Sequence, residues 1–138
     1  MVEKDLLNLW TTLSRKVMAS ILVDDGAVFV AHDILASRSQ WLAPTERPMY
    51  DAVLQCLAAN TPPTTEAVAL RVNGNTPAGY VQTVAALFND EDNHHLVYNT
   101  EQLRDLGVLM ELKALGHDLK ILTQWKTCEP GRIKPQSK

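Results

Sequence analysis

Residues 96–122, LVYNTEQLRDLGVLMELKALGHDLKIL, lie in the longest stretch of the chain's second half that contains no proline, residues 78–129. Proline inside a helix costs about 3 kcal/mol, so a segment without it is free to form one long helix. The apolar pattern predicts a helix from about residue 95 or 97 to residue 125 or 126. The sequence predicts this helix to be the longest of the chain.

Two apolar stripes follow the predicted helix. One face carries Leu103, Leu106 and Met110. The other follows the four, three, four, three spacing of a heptad seam with Val108, Leu112, Leu115, Leu119 and Leu122. A helix with two apolar faces either packs beneath its own domain or buries one face there and the other against a second chain. The second interpretation makes these five residues a self-association seam.

The first 43 residues also contain no proline and predict two helices. Apolar residues at steps of three and four form one stripe: Leu6, Leu7, Trp10, Leu13, Val17, Ile21 and Leu22. Gly26 is able to end this helix. Residues 27–35 predict a short second helix, although the β-branched run Val28-Phe29-Val30 also fits a strand. Helix is favoured because no second strand is available to pair with it.

The middle of the chain predicts short helices joined by turns. Thr45 is the expected hydroxyl cap of a helix that has Pro48 in its first turn and stops near Asn60. Residues 64–66 cap another short helix, and Thr76-Pro77 opens a third. Residues 89–93 predict an acidic turn. The predicted fold is therefore all-α: a compact bundle of short helices followed by one long C-terminal helix.

The composition predicts a cytoplasmic, soluble, single-domain protein. Hydrophobic residues make up 46% of 138, and two cysteines are too few for a disulfide framework. The longest wholly apolar run has five residues, so we expect no membrane-spanning segment. The net charge is −3; residues 126–138 hold four cations and one acid, a net +3 that leaves −6 for residues 1–125.

The sequence contains no recognisable catalytic, cofactor-binding or metal-binding motif. It has no P-loop, no dinucleotide-binding fingerprint and no nucleophile elbow. His94 and His95 are adjacent and diverge by about 100° on a helix, so we interpret them as exposed residues rather than metal ligands. Cys56 is interpreted as a small buried hydrophobe. We therefore expect no enzyme activity, no cofactor and no metal for this chain.

Five segments, in this order, resemble the amino-terminal domain of bacterial replicative DNA helicases of the DnaB family. Met18–Asp25 resembles the family's Leu-Leu/Ile-x-Asp/Asn helix end. Pro44–Ala52 is similar to "RPEHRxIFxAI", and Asn60–Val68 stands where the family has "GxPIDxVTL". Pro77–Val84 is similar to "GGxxYLxxL", and Leu103–Leu112 to "VREKAxLREL". The likeness covers residues 14–122.

The resemblance implies a non-catalytic assembly and interaction domain. Residues 14–125 would form the family domain, residues 1–13 an N-terminal extension, and residues 126–138 a polar, basic tail or truncated linker. The long helix would be half of an antiparallel dimerisation hairpin, with the second half and the ATPase motor beyond residue 138. The implied partners are a second copy of the chain and either the carboxy-terminal domain of a DnaG-type primase or a helicase loader.

Two other functions fit the sequence. A stand-alone phage- or plasmid-type adaptor or decoy would bind a host replicative helicase instead of primase. The four cations of residues 126–138 would give at most weak, salt-dependent contact with DNA.

Overall fold

A computed structural model describes residues 3–72, 76–77 and 79–116. Every regular element in these ranges is helical, which confirms the predicted all-α bundle with a long C-terminal helix. The α-helices of this part of the chain are α1 (Glu3–Val23), α2 (Ala27–Leu35), α3 (Arg47–Ala58), α4 (Thr65–Arg71), α5 (Tyr80–Ala85), α6 (Asp90–His94) and α7 (Leu96–Ala114). A short 3-10 helix (Ser39–Trp41) precedes α3. None of the helices described is long and apolar enough to cross a membrane.

Helix α1 is the centre of the bundle and packs against α2, α4, α5, α6 and α7. Its predicted apolar stripe faces the core. Six of the seven residues are buried, and Leu7 is 41% exposed. The helix runs without a break through residues 13 and 14, where the resemblance places a boundary. Its first half therefore adds Leu6, Trp10 and Leu13 to the same core.

Hydrogen bonds from α1 and α3 fix the connection between α2 and α3. The indole Nε1 of Trp10 donates to the carbonyl oxygen of Trp41 at 2.7 Å. Ser14 Oγ is buried and accepts from the backbone N–H of Ala43 at 2.9 Å. The guanidinium of Arg47 donates to the Leu42 carbonyl oxygen at 2.9 Å. These bonds hold an irregular segment against α1, where its backbone polar groups would otherwise be buried without partners.

The short helices differ from the prediction at their starts. Thr45 does not cap α3; its hydroxyl donates to the side chain of the next residue, Glu46, at 2.6 Å. Thr64 caps α4 as predicted, accepting from the N–H of Ala67 at 3.2 Å. Helix α5 begins only at Tyr80, because Gly79 precedes it in the left-handed conformation at φ 81°. The predicted acidic turn is helix α6, capped by the side chain of Asn89.

Helix α7 buries the first predicted face, since Leu103, Leu106 and Met110 all lie in the core. The predicted length of this helix is wrong: α7 has 19 residues and is shorter than α1, which has 21. Helix α7 ends at Ala114, and Gly116 follows at φ 99°, a conformation that suits glycine and ends helices. The N–H of Gly116 donates to the Lys113 carbonyl oxygen at 2.9 Å, closing the last turn. Because the helix ends before Gly116, the heptad spacing of residues 108–122 does not follow one continuous helix.

Candidate functional site

The predicted self-association residues fall into three groups. Val108 and Leu112 are half-buried on α7. Leu115 follows the last residue of α7 and is 74% exposed. Leu119 and Leu122 lie outside the described residues. Of the three described members, Leu115 is thus the one whose apolar side chain is most available to a second chain, and the seam as a whole stays a prediction.

Helix α2 is apolar on its solvent side as well as on its core side. Ala27, Val28, Ala31 and Leu35 are buried against α1 and α7. Phe29 is 67% exposed and its neighbour Val30 is 37% exposed. In the turn before the helix, the Asp24 carboxylate accepts from the N–H of Gly26 at 3.1 Å. Because residues 27–35 form a helix and not the alternative strand, Phe29 and Val30 lie on the surface.

A groove of about 630 Å³, called the first groove below, runs beside Phe29. Its floor is made of the buried side chains Ile21, Leu22 and Val28. The opposite wall is the segment Pro62-Pro63, which follows α3. Asn60 directs the chain into this wall from a left-handed backbone conformation at φ 56°. The result is a mainly apolar depression open to solvent, of the size that proteins use to receive a ligand or partner side chains.

The rim of the first groove is polar and acidic. It carries Asp25, Asn60, Thr61 and Thr64. Among the residues that line it there is no lysine or arginine. An apolar floor within a polar rim is the general layout of protein-binding surfaces.

A second groove of about 330 Å³ lies on the other side of the start of α2. Val30 and the 52%-exposed Val97 contribute apolar surface to it. The side-chain amide of Asn93 donates to the Asp24 carboxylate at 2.6 Å across this groove. Two hydrogen bonds lower the pKa of the Asp24 carboxyl: the bond from Asn93 has the larger effect, and the bond from the N–H of Gly26 the smaller. Asp24 therefore stays ionised and joins α6 to the turn before α2.

A buried carboxylate lies apart from the grooves. The side chain of Glu46 is fully buried and accepts hydrogen bonds from the Tyr80 hydroxyl and, at 3.4 Å, from Arg15 Nε. Its other oxygen accepts from Thr45 Oγ1 at 2.6 Å. Burial, together with the bond to Glu46, raises the pKa of Tyr80. The cluster connects α1, the start of α3 and α5, which is the arrangement of a structural link.

The residues singled out for possible reactivity take the positions predicted for them. Cys56 is a free, fully buried thiol in the core. His94 and His95 are both exposed. In the described part of the chain, no three histidine, cysteine, aspartate or glutamate side chains lie close enough to hold a metal ion.

The sequence did not reveal the first groove or the Glu46 cluster. The signal for the groove was present in the run Val28-Phe29-Val30, whose apolar residues cannot all face the core of a helix. Glu46 carried no such signal, because a glutamate at a helix start is ordinarily exposed.

Comparisons of this chain with protein-family models, with curated proteins and with solved structures find no match.

Proposed function

We propose that this chain is a non-catalytic assembly and protein-interaction domain of a replicative DNA helicase. The observation that supports the proposal is the exposure of large apolar side chains on α2 and at the end of α7. Phe29 is 67% exposed and Leu115 is 74% exposed, although both helices also contribute buried residues to the core. Exposed apolar surface beside a formed groove favours burial against another protein.

Self-association uses the end of α7 in this proposal. Leu115 projects beyond the last helical turn, next to the half-buried Leu112. Two such ends meeting in a symmetric dimer would remove both leucines from water. Full burial of a leucine contributes roughly 1.5–3 kcal/mol, enough for one residue to dominate a small interface.

Docking of a replication partner uses the first groove. Its lining residues come from α1, α2, α3 and the segment after α3, and the side chains of its floor are already buried, so a partner can bind without reorganising the bundle. A preformed site of this kind loses little conformational entropy on binding. The resemblance implies the carboxy-terminal domain of a DnaG-type primase, or a helicase loader, as the partner.

The experiment measures binding of the immobilised 138-residue chain to a primase carboxy-terminal domain and, separately, to a hexameric replicative helicase. We expect the primase domain to bind, and Phe29→Ser to weaken that binding about tenfold or more, since a phenylalanine loses its burial. The matched control is Leu70→Ser on α4, because Leu70 is 84% exposed and lies outside both grooves. We expect the control to bind like the wild type.

Two outcomes contradict the proposal. If the chain captures the helicase and not the primase domain, it acts as a stand-alone adaptor or decoy. If Phe29→Ser and Leu70→Ser bind the primase domain as tightly as the wild type does, the first groove is not the docking surface.

A further inference from the structure

Two carboxylates lie near Phe29 along the chain. Asp25 precedes Phe29 by four residues, in the turn before α2, and Asp33 follows it by four residues on the helix. Residues four apart lie on the same side of a helix, so Asp33 lies one turn after the aromatic ring. Asp25 lines the first groove together with Phe29, which places both on this side.

Both carboxylates are available for binding. Asp25 and Asp33 are exposed, and within residues 3–72, 76–77 and 79–116 neither has a hydrogen-bond or ion-pair partner. Nearby acids are already engaged: Asp24 accepts from Asn93 at 2.6 Å, and Asp92 pairs with Lys16 at 3.5 Å. Asp25 and Asp33 are thus two free carboxylates, of which Asp25 lines the first groove and Asp33 lies on α2.

We propose that the first groove binds a cationic amphipathic helix of a partner protein. Apolar side chains of that helix would enter between Phe29 and Pro62-Pro63, and its lysines or arginines would reach Asp25 and Asp33. This inference rests on the proposed function and names the chemistry of the partner at the same surface. Charge complementarity selects the occupant, because the one charged residue among those that line the first groove is Asp25, and Asp33 lies on α2 one turn after Phe29.

The spacing of the carboxylates defines the partner further. Asp33 lies four residues after Phe29, about 6 Å along α2 at 1.5 Å per residue, and Asp25 lies in the turn before the helix. A partner helix lying along α2 would reach the two carboxylates with cations on either side of its apolar anchors. Its apolar anchors then follow the i, i+3, i+4, i+7 pattern of helices that bind in grooves.

The charge of the surrounding surface also favours a cationic partner. Asp90 and Glu91, both exposed on α6, lie beyond the second groove, so the negative potential extends past α2. A cationic helix is attracted over a wider area than its contacts, and an anionic one is repelled. Phe29, which is 67% exposed, supplies the apolar surface that a partner buries, while the carboxylates determine which sign of helix is accepted.

The experiment titrates the full 138-residue chain into two fluorescent peptides and records anisotropy. One peptide is an amphipathic leucine–lysine helix of about five turns, with lysines seven residues apart flanking the leucine stripe. The other has glutamate at every lysine position. We expect the lysine peptide to bind about tenfold more tightly than the glutamate peptide, and Phe29→Ser to reduce its affinity by a similar factor.

Two double variants with the same net charge distinguish binding at Asp25 and Asp33 from general electrostatic attraction to the chain. Asp25→Asn/Asp33→Asn should weaken binding of the lysine peptide about three- to tenfold, as expected for two exposed ion pairs. Asp51→Asn/Glu101→Gln makes the same change in net charge at exposed positions of α3 and α7 that line neither groove. Its affinity should stay within about twofold of the wild type.

Three results would overturn the inference: no binding of the lysine peptide, equal binding of the two peptides, or an equal loss in both double variants. The peptide experiment contains no replication protein, so its failure leaves the proposed function standing. Conversely, binding of the lysine peptide without capture of the primase domain supports the groove chemistry and contradicts the proposed function.

Discussion

Gly107 faces the backbone of Trp41 so closely that a methyl group on Gly107 would lie 2.5 Å from the Trp41 carbonyl oxygen. The same oxygen accepts the indole N–H of Trp10 at 2.7 Å. The Trp41 indole in turn donates to the Glu111 carboxylate on α7 at 3.1 Å. The contact between Gly107 and Trp41 therefore fixes how α7 and the connection after α2 approach α1.

Replacing Gly107 with alanine tests this close approach. Alanine is the better helix former, yet its methyl group would force the two backbones apart. We expect Gly107→Ala to lower the free energy of unfolding by about 1–3 kcal/mol, the usual cost of overpacking. Urea denaturation measures this change in the free energy of unfolding. Gly26→Ala is the control, since its added carbon has 3.9 Å to the nearest contact, an Asp24 oxygen, and should change stability little.

Tyr80→Phe tests the buried Glu46 cluster. The substitution removes one of the hydrogen bonds to a fully buried carboxylate, leaving Arg15 alone on that oxygen. We expect a loss of about 1.5–3 kcal/mol in the free energy of unfolding, typical of a hydrogen bond to a charged group. Tyr98→Phe removes a hydroxyl from a 62%-exposed tyrosine and serves as the control. Equal stability of the two variants would contradict the structural role of the cluster.

The alkaline pH dependence of stability follows from Tyr50. This tyrosine is fully buried, its hydroxyl donates to the Ala36 carbonyl oxygen at 2.6 Å, and burial raises its pKa far above the ordinary value. Above about pH 10 the unfolded chain loses the proton of Tyr50 while the folded chain keeps it. The stability due to the neutral form is complete below pH 10 and declines as the pH rises, by up to about 1.4 kcal/mol per pH unit.

Urea denaturation at several pH values between about 8 and 11, a range that includes the ordinary tyrosine pKa, measures how the free energy of unfolding changes with pH. Tyr50→Phe should show a smaller loss of stability with rising pH than the wild type. Parallel slopes for the two proteins would mean that Tyr50 ionises in the folded chain as readily as in the unfolded one.

Much of the fold was predictable because local signals and the core agreed. Helix α2 has the predicted bounds, Ala27–Leu35, since its glycine start and buried apolar residues fit one helix. Helix α6 was predicted as a turn because its five residues hold no apolar pattern; the Asn89 cap and the acidic first turn stabilise it instead. The end of α7 was missed because the heptad spacing continues past Gly116, while the backbone there is left-handed.

Little of the candidate site was predictable. Leu115 is exposed, and its role in self-association stays a prediction. The first groove was not predicted, because Phe29 on α2 and Pro62-Pro63 after α3 come together only in the folded chain. The apolar run Val28-Phe29-Val30 indicates an exposed apolar side chain, but no pattern within one segment shows which other segment lies opposite it.

The claim that this chain works by assembling through exposed apolar helix ends is tested most directly by sedimentation equilibrium of the wild type and Leu115→Asp. We expect the wild type to form a dimer or a larger assembly, and Leu115→Asp to be monomeric with an unchanged helical circular-dichroism signal, because Leu115 is 74% exposed. Leu70→Asp, at the 84%-exposed position on α4, should assemble like the wild type. A wild-type monomer, or an unchanged assembly in Leu115→Asp, would contradict the claim.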